Sequence, residues 1–131
     1  MERRLVNPWT WQEQFGYEQG VEVSGAERTL YCAGQTSVDA DGNPINEGDM
    51  TAQALQAVDN LEAVLREGGY ELADIVRMNY YVTDVDAFFA AGEAMGGRFA
   101  ESGCRASGTL LGVERLAFPG QMIEIEATAA R

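Results

Sequence analysis

Between Asp49 and Gly68 the apolar residues Ala54, Val58, Leu61 and Leu65 recur at three- and four-residue spacing, which gathers them on one side of a helix. Asp49 is placed to cap it, Glu62 and Arg66 form an i,i+4 pair, and Gly68-Gly69 ends it. The period changes to two from Ile75 to Val82: Val76, Met78, Tyr80 and Val82 fall on one side and Arg77 and Asn79 on the other, the mark of a half-buried strand. Val85 to Glu101 returns to a helical pattern, weakened by Gly92, Gly96 and Gly97, each costing about 1 kcal/mol relative to alanine. Two strands, 17–23 and Thr29–Ala33, precede the first helix, and the turn residues Ser24-Gly25-Ala26-Glu27 between them suggest a hairpin. Two more, Thr109–Leu116 and Met122–Ala129, close the chain around a loop containing Phe118-Pro119-Gly120. The predicted order is ββαβαββ.

An α+β domain of this order places two helices on one face of a sheet. The opposite face then needs a cover, and in a chain this short a second copy is the expected one. No linker, repeat or low-complexity run divides residues 1–131, so a single domain with an N-terminal arm at 1–14 is expected. In the arm, Asn7-Pro8-Trp9-Thr10-Trp11 carries two large aromatics without a regular pattern. They either pin the arm to the body or line a ligand pocket.

Charge and composition narrow the chemistry. The chain has 21 acidic and 9 basic residues, a net charge of −12, and no basic stripe, which argues against nucleic acid and anionic membrane surfaces. Histidine is absent, so Ser-His, Cys-His and His-metal chemistry fall away, and a general acid or base must be Glu, Asp, Tyr, Cys or water. Cys32 and Cys104 are too few for a disulfide framework, and with no signal or membrane segment near the start the expectation is a soluble, uncleaved, cytoplasmic protein. Neither a nucleotide fingerprint nor a metal-ligand cluster is present, so no cofactor is expected. Asp39 to Asn43 fails as a calcium loop because Pro44 stands where glycine is needed.

Three segments look chemical. Gly103 to Gly108 has phosphate-loop glycine spacing, but Thr109 replaces the lysine and a strand follows, so it reads as a loop. Within it, Cys104 would need a neighbour such as Arg105 to lower its pKa before it could act as a nucleophile, and an inert thiol is the simpler reading. On the last strand Ile123, Ile125 and Ala127 alternate with Glu124, Glu126 and Thr128. Both carboxylates therefore share a face, either solvated or desolvated at a junction between subunits.

Gly16-Tyr17-Glu18-Gln19-Gly20, Tyr31-Cys32-Ala33-Gly34-Gln35, Gln56 to Leu61, Asp84 to Phe88, Val113-Glu114-Arg115-Leu116 and Glu124 to Ala127 occur in the order and spacing of Rid/YjgF proteins. The sequence resembles that family over nearly everything after residue 14. The resemblance implies a chorismate-mutase-like (YjgF-like) fold and a homotrimer with three small-molecule clefts at subunit junctions. It also implies, for members with the complete motif, hydrolysis of imines and enamines such as 2-aminoacrylate, with endoribonuclease as an older label.

Tyr17, Gly34 and Glu124 match family cleft positions, with Glu124 implied to position or activate water. Ala33 stands where the family has serine, Leu110 where it has cysteine and Gly92 where it has asparagine. The arginine that pairs with a substrate carboxylate lies five residues before Val113, and here that residue is Gly108. Arg105 is three residues further upstream, a shift that would also change the face of the strand, so the role is not carried to it. The cleft expected around Tyr17, Ala33, Gly34, Arg105, Gly108, Thr109 and Leu110 thus keeps a tyrosine and a carboxylate and loses its anion clamp. Two readings stay open: hydrolysis of an imine or related electrophile other than 2-aminoacrylate, or metabolite binding without chemistry. Ribonuclease activity is the least supported, and Gly108→Arg is expected to create activity toward carboxylated imines.

Overall fold

The computed structural model describes residues 1–131. Strands are β1 (Glu2–Val6), β2 (Gly20–Ser24), β3 (Thr29–Gln35), β4 (Ile75–Val82), β5 (Leu110–Gly112) and β6 (Ile123–Ala130), and helices are α1 (Met50–Glu67), α2 (Val85–Ala90) and α3 (Gly92–Ser102). The main sheet runs β3-β6-β4-β5, mixed because β6 is antiparallel to both neighbours while β5 is parallel to β4. The class is α+β, as the periodicities indicate.

The core lies between α1 and this sheet. Ala54, Ala57, Val58, Leu61 and Leu65 are fully buried, opposite Ile123, Ile125 and Ala129 of β6, and each large aliphatic side chain removed from water contributes about 1.5–3 kcal/mol. The Asp49 carboxylate accepts the Ala52 N–H at 3.0 Å, satisfying a donor the first turn leaves open. Gln53 is buried on the same helix, yet all its polar atoms are used: Nε2 donates to the carbonyls of Asn46 (3.1 Å) and Gly120 (2.9 Å), and Oε1 accepts from Met122 N–H (2.8 Å). That clamp fixes where β6 begins.

Four sequence expectations change. The hairpin of 17–23 with Thr29–Ala33 does not form: β2 pairs with β1, which the sequence pattern left inside the arm, and β3 pairs with β6. The cause lies at the turn, where Glu27 and Arg28 donate to the carbonyl of Arg131 and Arg131 donates to that of Arg28, so the far end of β6 captures the entry to β3. Arg4 and Glu22 form a paired exposed contact across the β1–β2 ribbon, and Arg3 ties the ribbon to the carbonyl of Ala73 at 3.0 Å. The second helix is two, broken at Ala91, so three helices replace the expected two. A bulge at Val76 separates the Ile75–Ala129 and Arg77–Thr128 pairs, turning Ile75 rather than Val76 inward beside Met78 and Val82. Regular strand covers only Leu110–Gly112 of the expected 109–116.

The other face of the sheet is polar and open. Tyr31 is 80 % exposed there, and Glu126 accepts from Tyr81 Oη (2.5 Å) and Asn79 Nδ2 (3.1 Å). Those bonds hold the Glu126 carboxyl below the usual carboxylate range and raise the Tyr81 hydroxyl.

Candidate functional site

A groove of about 1230 Å³ opens between the 11–19 segment, the α2–α3 pair and the 103–110 loop. Its position follows from two local features. Ser107 and Thr109 extend the β5 ladder along β4, with Met78 N–H on the Ser107 carbonyl (2.8 Å) and Tyr80 N–H on that of Thr109 (2.9 Å). Opposite, α3 presents Gly92, Gly96 and Gly97, at each of which an added Cβ would meet nothing within 4 Å.

Tyr17, Arg105, Gly108, Thr109 and Leu110 all line this groove. So does Trp11, stacked on Trp9 at 6.4 Å and edge-on to Tyr17 at 6.3 Å, so one aromatic of the arm is a groove wall and also pins the segment. Phe88 packs against Tyr80 at 5.3 Å and Phe89 at 5.9 Å. Burial pushes the Tyr80 hydroxyl well above its ordinary pKa.

Ala33, Gly34 and Glu124 do not join them. They form a second cluster across β3 and β6, outside the groove wall, where the Glu124 carboxylate lies directly over Gly34: a Cβ on Gly34 would fall 1.8 Å from Glu124 Oε2. The residues that the motifs assign to one cleft at a subunit junction thus fall into two separate clusters within one chain. They are separated because the inner face of the sheet contributes to one and its open face to the other.

Arg105 reaches the groove, but as half of an ion pair. Glu18 is buried, and its Oε1 accepts from Arg105 Nε at 2.8 Å and Nη2 at 2.6 Å, while Oε2 accepts from Asn7 Nδ2 at 2.5 Å. Asn7 Oδ1 in turn takes the Gln19 N–H at 2.8 Å, and Glu18 N–H donates to the Ala106 carbonyl at 3.0 Å. The guanidinium is therefore already neutralised and held. Glu18 is a groove-lining carboxylate that the sequence reading did not single out. It sits inside a family motif, but nothing local marks it as the partner of a residue 87 positions away.

Gly108 is closed rather than merely vacant. A Cβ there would lie 1.8 Å from the backbone oxygen of Met78, so the arginine slot cannot be refilled by substitution and the expectation for Gly108→Arg is reversed.

Cys104 is not activated. Burial raises its thiol to about 11, opposed by Arg3 rather than Arg105. In a Cys32→Ala background, iodoacetamide should label Cys104 at pH 8 roughly a hundredfold more slowly than a thiol of ordinary pKa, with the rate climbing about tenfold per pH unit toward 11. The folded state holds this proton more tightly than the unfolded one, so the contribution to stability is complete below pH 9 and is lost as pH rises through 11. No group of three or more Cys, Asp or Glu is arranged to hold a metal ion, and no helix is long and apolar enough to cross a membrane.

The α+β chain with this mixed four-stranded sheet has a YjgF-like fold: the structure of the E. coli yjgF gene product is 31 % identical, with a TM-score of 0.71 over 88 % of this chain and 87 % of that one. Residues 12–131 match the family described as Endoribonuclease L-PSP, and the chain belongs to this Rid/YjgF family. It is 40 % identical to a structure described as a protein of unknown function of the conserved Rid family, YyfB from Yersinia pestis, with a TM-score of 0.88 and all of both chains covered. A RutC family protein of Pyrococcus horikoshii is 32 % identical over 86 % of this chain and 85 % of its own length. E. coli TdcF with bound serine is 28 % identical, with a TM-score of 0.71 over 88 % of this chain and 87 % of that one.

Proposed function

We propose that the chain assembles as a homotrimer whose junctions each join the groove of one copy to the Gly34–Glu124 pair of the next, forming clefts that hydrolyse an imine or its enamine tautomer. The observation that carries this reading is the division of the family's cleft positions into two half-sites that cannot meet within one chain. The uncovered sheet face, with Tyr31 exposed, supplies a surface for the junction.

The chemistry needs little machinery. A protonated C=N carbon is electrophilic. Water adds to it while the Glu124 carboxylate accepts a water proton, giving a carbinolamine. The proton passes to nitrogen, the C–N bond breaks and ammonia leaves, so imine plus water becomes carbonyl compound plus ammonia. 2-Aminoacrylate is not the preferred substrate, because the anion clamp is gone: Gly108 is closed and Arg105 is paired. That same loss favours the second reading, a trimer that binds a metabolite without chemistry. The serine in TdcF belongs to that relative, and it supports small-molecule binding at this fold. Ribonuclease activity is opposed by the net charge of −12, and two free cysteines accord with a reducing, cytoplasmic setting.

Imines generated in situ by an amine oxidase or an amino-acid oxidase test the proposal. Ammonia release should accelerate in the presence of the protein, with light scattering giving three chains per particle. Release no faster than in buffer would leave only the binding reading, and a monomer would remove the shared cleft.

A further inference from the structure

We infer that the groove selects a cation: an ammonium or protonated imine carried on an aromatic or bulky apolar body, with no carboxylate. This deepens the cleft reading above and rests on it for the reaction, though not for binding.

Charge comes first. The ionised side chains lining the groove are Glu13, Glu18, Glu93 and Arg105, three negative against one positive. Glu18 and Arg105 cancel in their ion pair, with contacts of 2.6 and 2.8 Å. Glu13 and Glu93, both exposed, are left at the rim, and a ligand carboxylate approaching them finds repulsion and no free cation.

Shape and surface agree. Trp11, Phe15 and Phe89 line the groove while each stays more than half exposed, and Tyr17, Tyr80 and Phe88 continue the aromatic wall. Aromatic faces attract cations and exclude water from them. Tyr80 is held in that wall by its packing against Phe88 at 5.3 Å. At Gly92, Gly96 and Gly97 the far wall carries no side chains, leaving space for a body larger than that of a small amino acid.

The substrate this describes is the iminium produced by two-electron oxidation of a primary amine. Its hydrolysis balances as iminium plus water giving aldehyde or ketone plus ammonium. An amine-oxidising reaction is therefore the class of step that would supply it.

The test is a titration of the protein with benzylammonium, benzyl alcohol and phenylacetate, followed calorimetrically and by the fluorescence of Trp11 in a Trp9→Phe variant. Benzylammonium should bind roughly tenfold or more tightly than phenylacetate, with the preference shrinking as salt rises. Glu13→Gln with Glu93→Gln should lower benzylammonium affinity several-fold without changing the melting temperature. Gly96→Leu, whose side chain would project into open space, should keep the fold and abolish binding of all three.

Phenylacetate binding as tightly as benzylammonium would overturn the inference, as would undiminished benzylammonium binding by Gly96→Leu. Selective amine binding without ammonia release would sustain it while removing the hydrolase. Hydrolysis of carboxylated imines without amine binding would do the reverse.

Discussion

Replacing Gly108 by alanine is expected to lower the stability of the fold by about 3 kcal/mol, and replacing it by arginine to yield little soluble protein. The added Cβ would lie 1.8 Å from Met78 O and 2.8 Å from its carbonyl carbon, and both are backbone atoms of a sheet strand. Relief by movement is blocked on either side, because the Met78–Ser107 and Tyr80–Thr109 hydrogen bonds fix the spacing of the two segments at 2.8 and 2.9 Å. Denaturant titration of Gly108→Ala should show a lower midpoint with an unchanged slope. A Gly108→Arg protein that melts like the parent and hydrolyses carboxylated imines would mean that the segment can leave β4, and the closed-slot account would be wrong.

A second substitution should separate activity from folding. At Gly34 a new Cβ would lie 1.8 Å from Glu124 Oε2, 2.7 Å from its Cδ and 2.8 Å from its Cγ, all atoms of one flexible side chain, so Gly34→Ala is accommodated by swinging the whole Glu124 side chain away from its seat. The fold is expected to survive, while kcat for imine hydrolysis falls about tenfold or more. Glu124→Gln, which keeps the shape and removes the proposed base, should cost roughly a hundredfold. Benzylammonium binding should persist in both variants, weakened at most several-fold in Glu124→Gln, because neither residue lines the groove of its own chain and Glu124 reaches the proposed cleft only from the next copy. Wild-type turnover in Glu124→Gln would remove Glu124 from the mechanism.

What could be read from the sequence was whatever short range decides. Helix α1 followed from its period, its Asp49 cap and Gly68-Gly69. Strand β6 followed from an alternation in which Ile123, Ile125 and Ala127 are all buried. Partners at long range were not legible. The turn after β2 looks like a hairpin turn until Arg131, more than a hundred residues later, claims the amides of Glu27 and Arg28. Likewise Glu18 and Arg105 are ordinary surface types in sequence, and only the folded chain makes them a buried carboxylate and its counter-ion. The break at Ala91 has no proline to announce it. The family motifs supplied the names of the proposed cleft residues, but whether Gly108 was empty or closed depended on its distance from the Met78 carbonyl of β4.

The placement of β6 also orders the birth of the fold. β3 and β4 never touch each other through a ladder. Each pairs with β6, which is the last of the three to be synthesised. While the chain is still growing, α1 can form but the apolar sides of β3 and β4 have no shared partner, so the nascent chain is expected to stay collapsed and unfinished until β6 emerges. Folding is therefore expected to be gated by completion of the C-terminal strand, so that conditions which slow translation near its end prolong the interval in which chaperones find this chain.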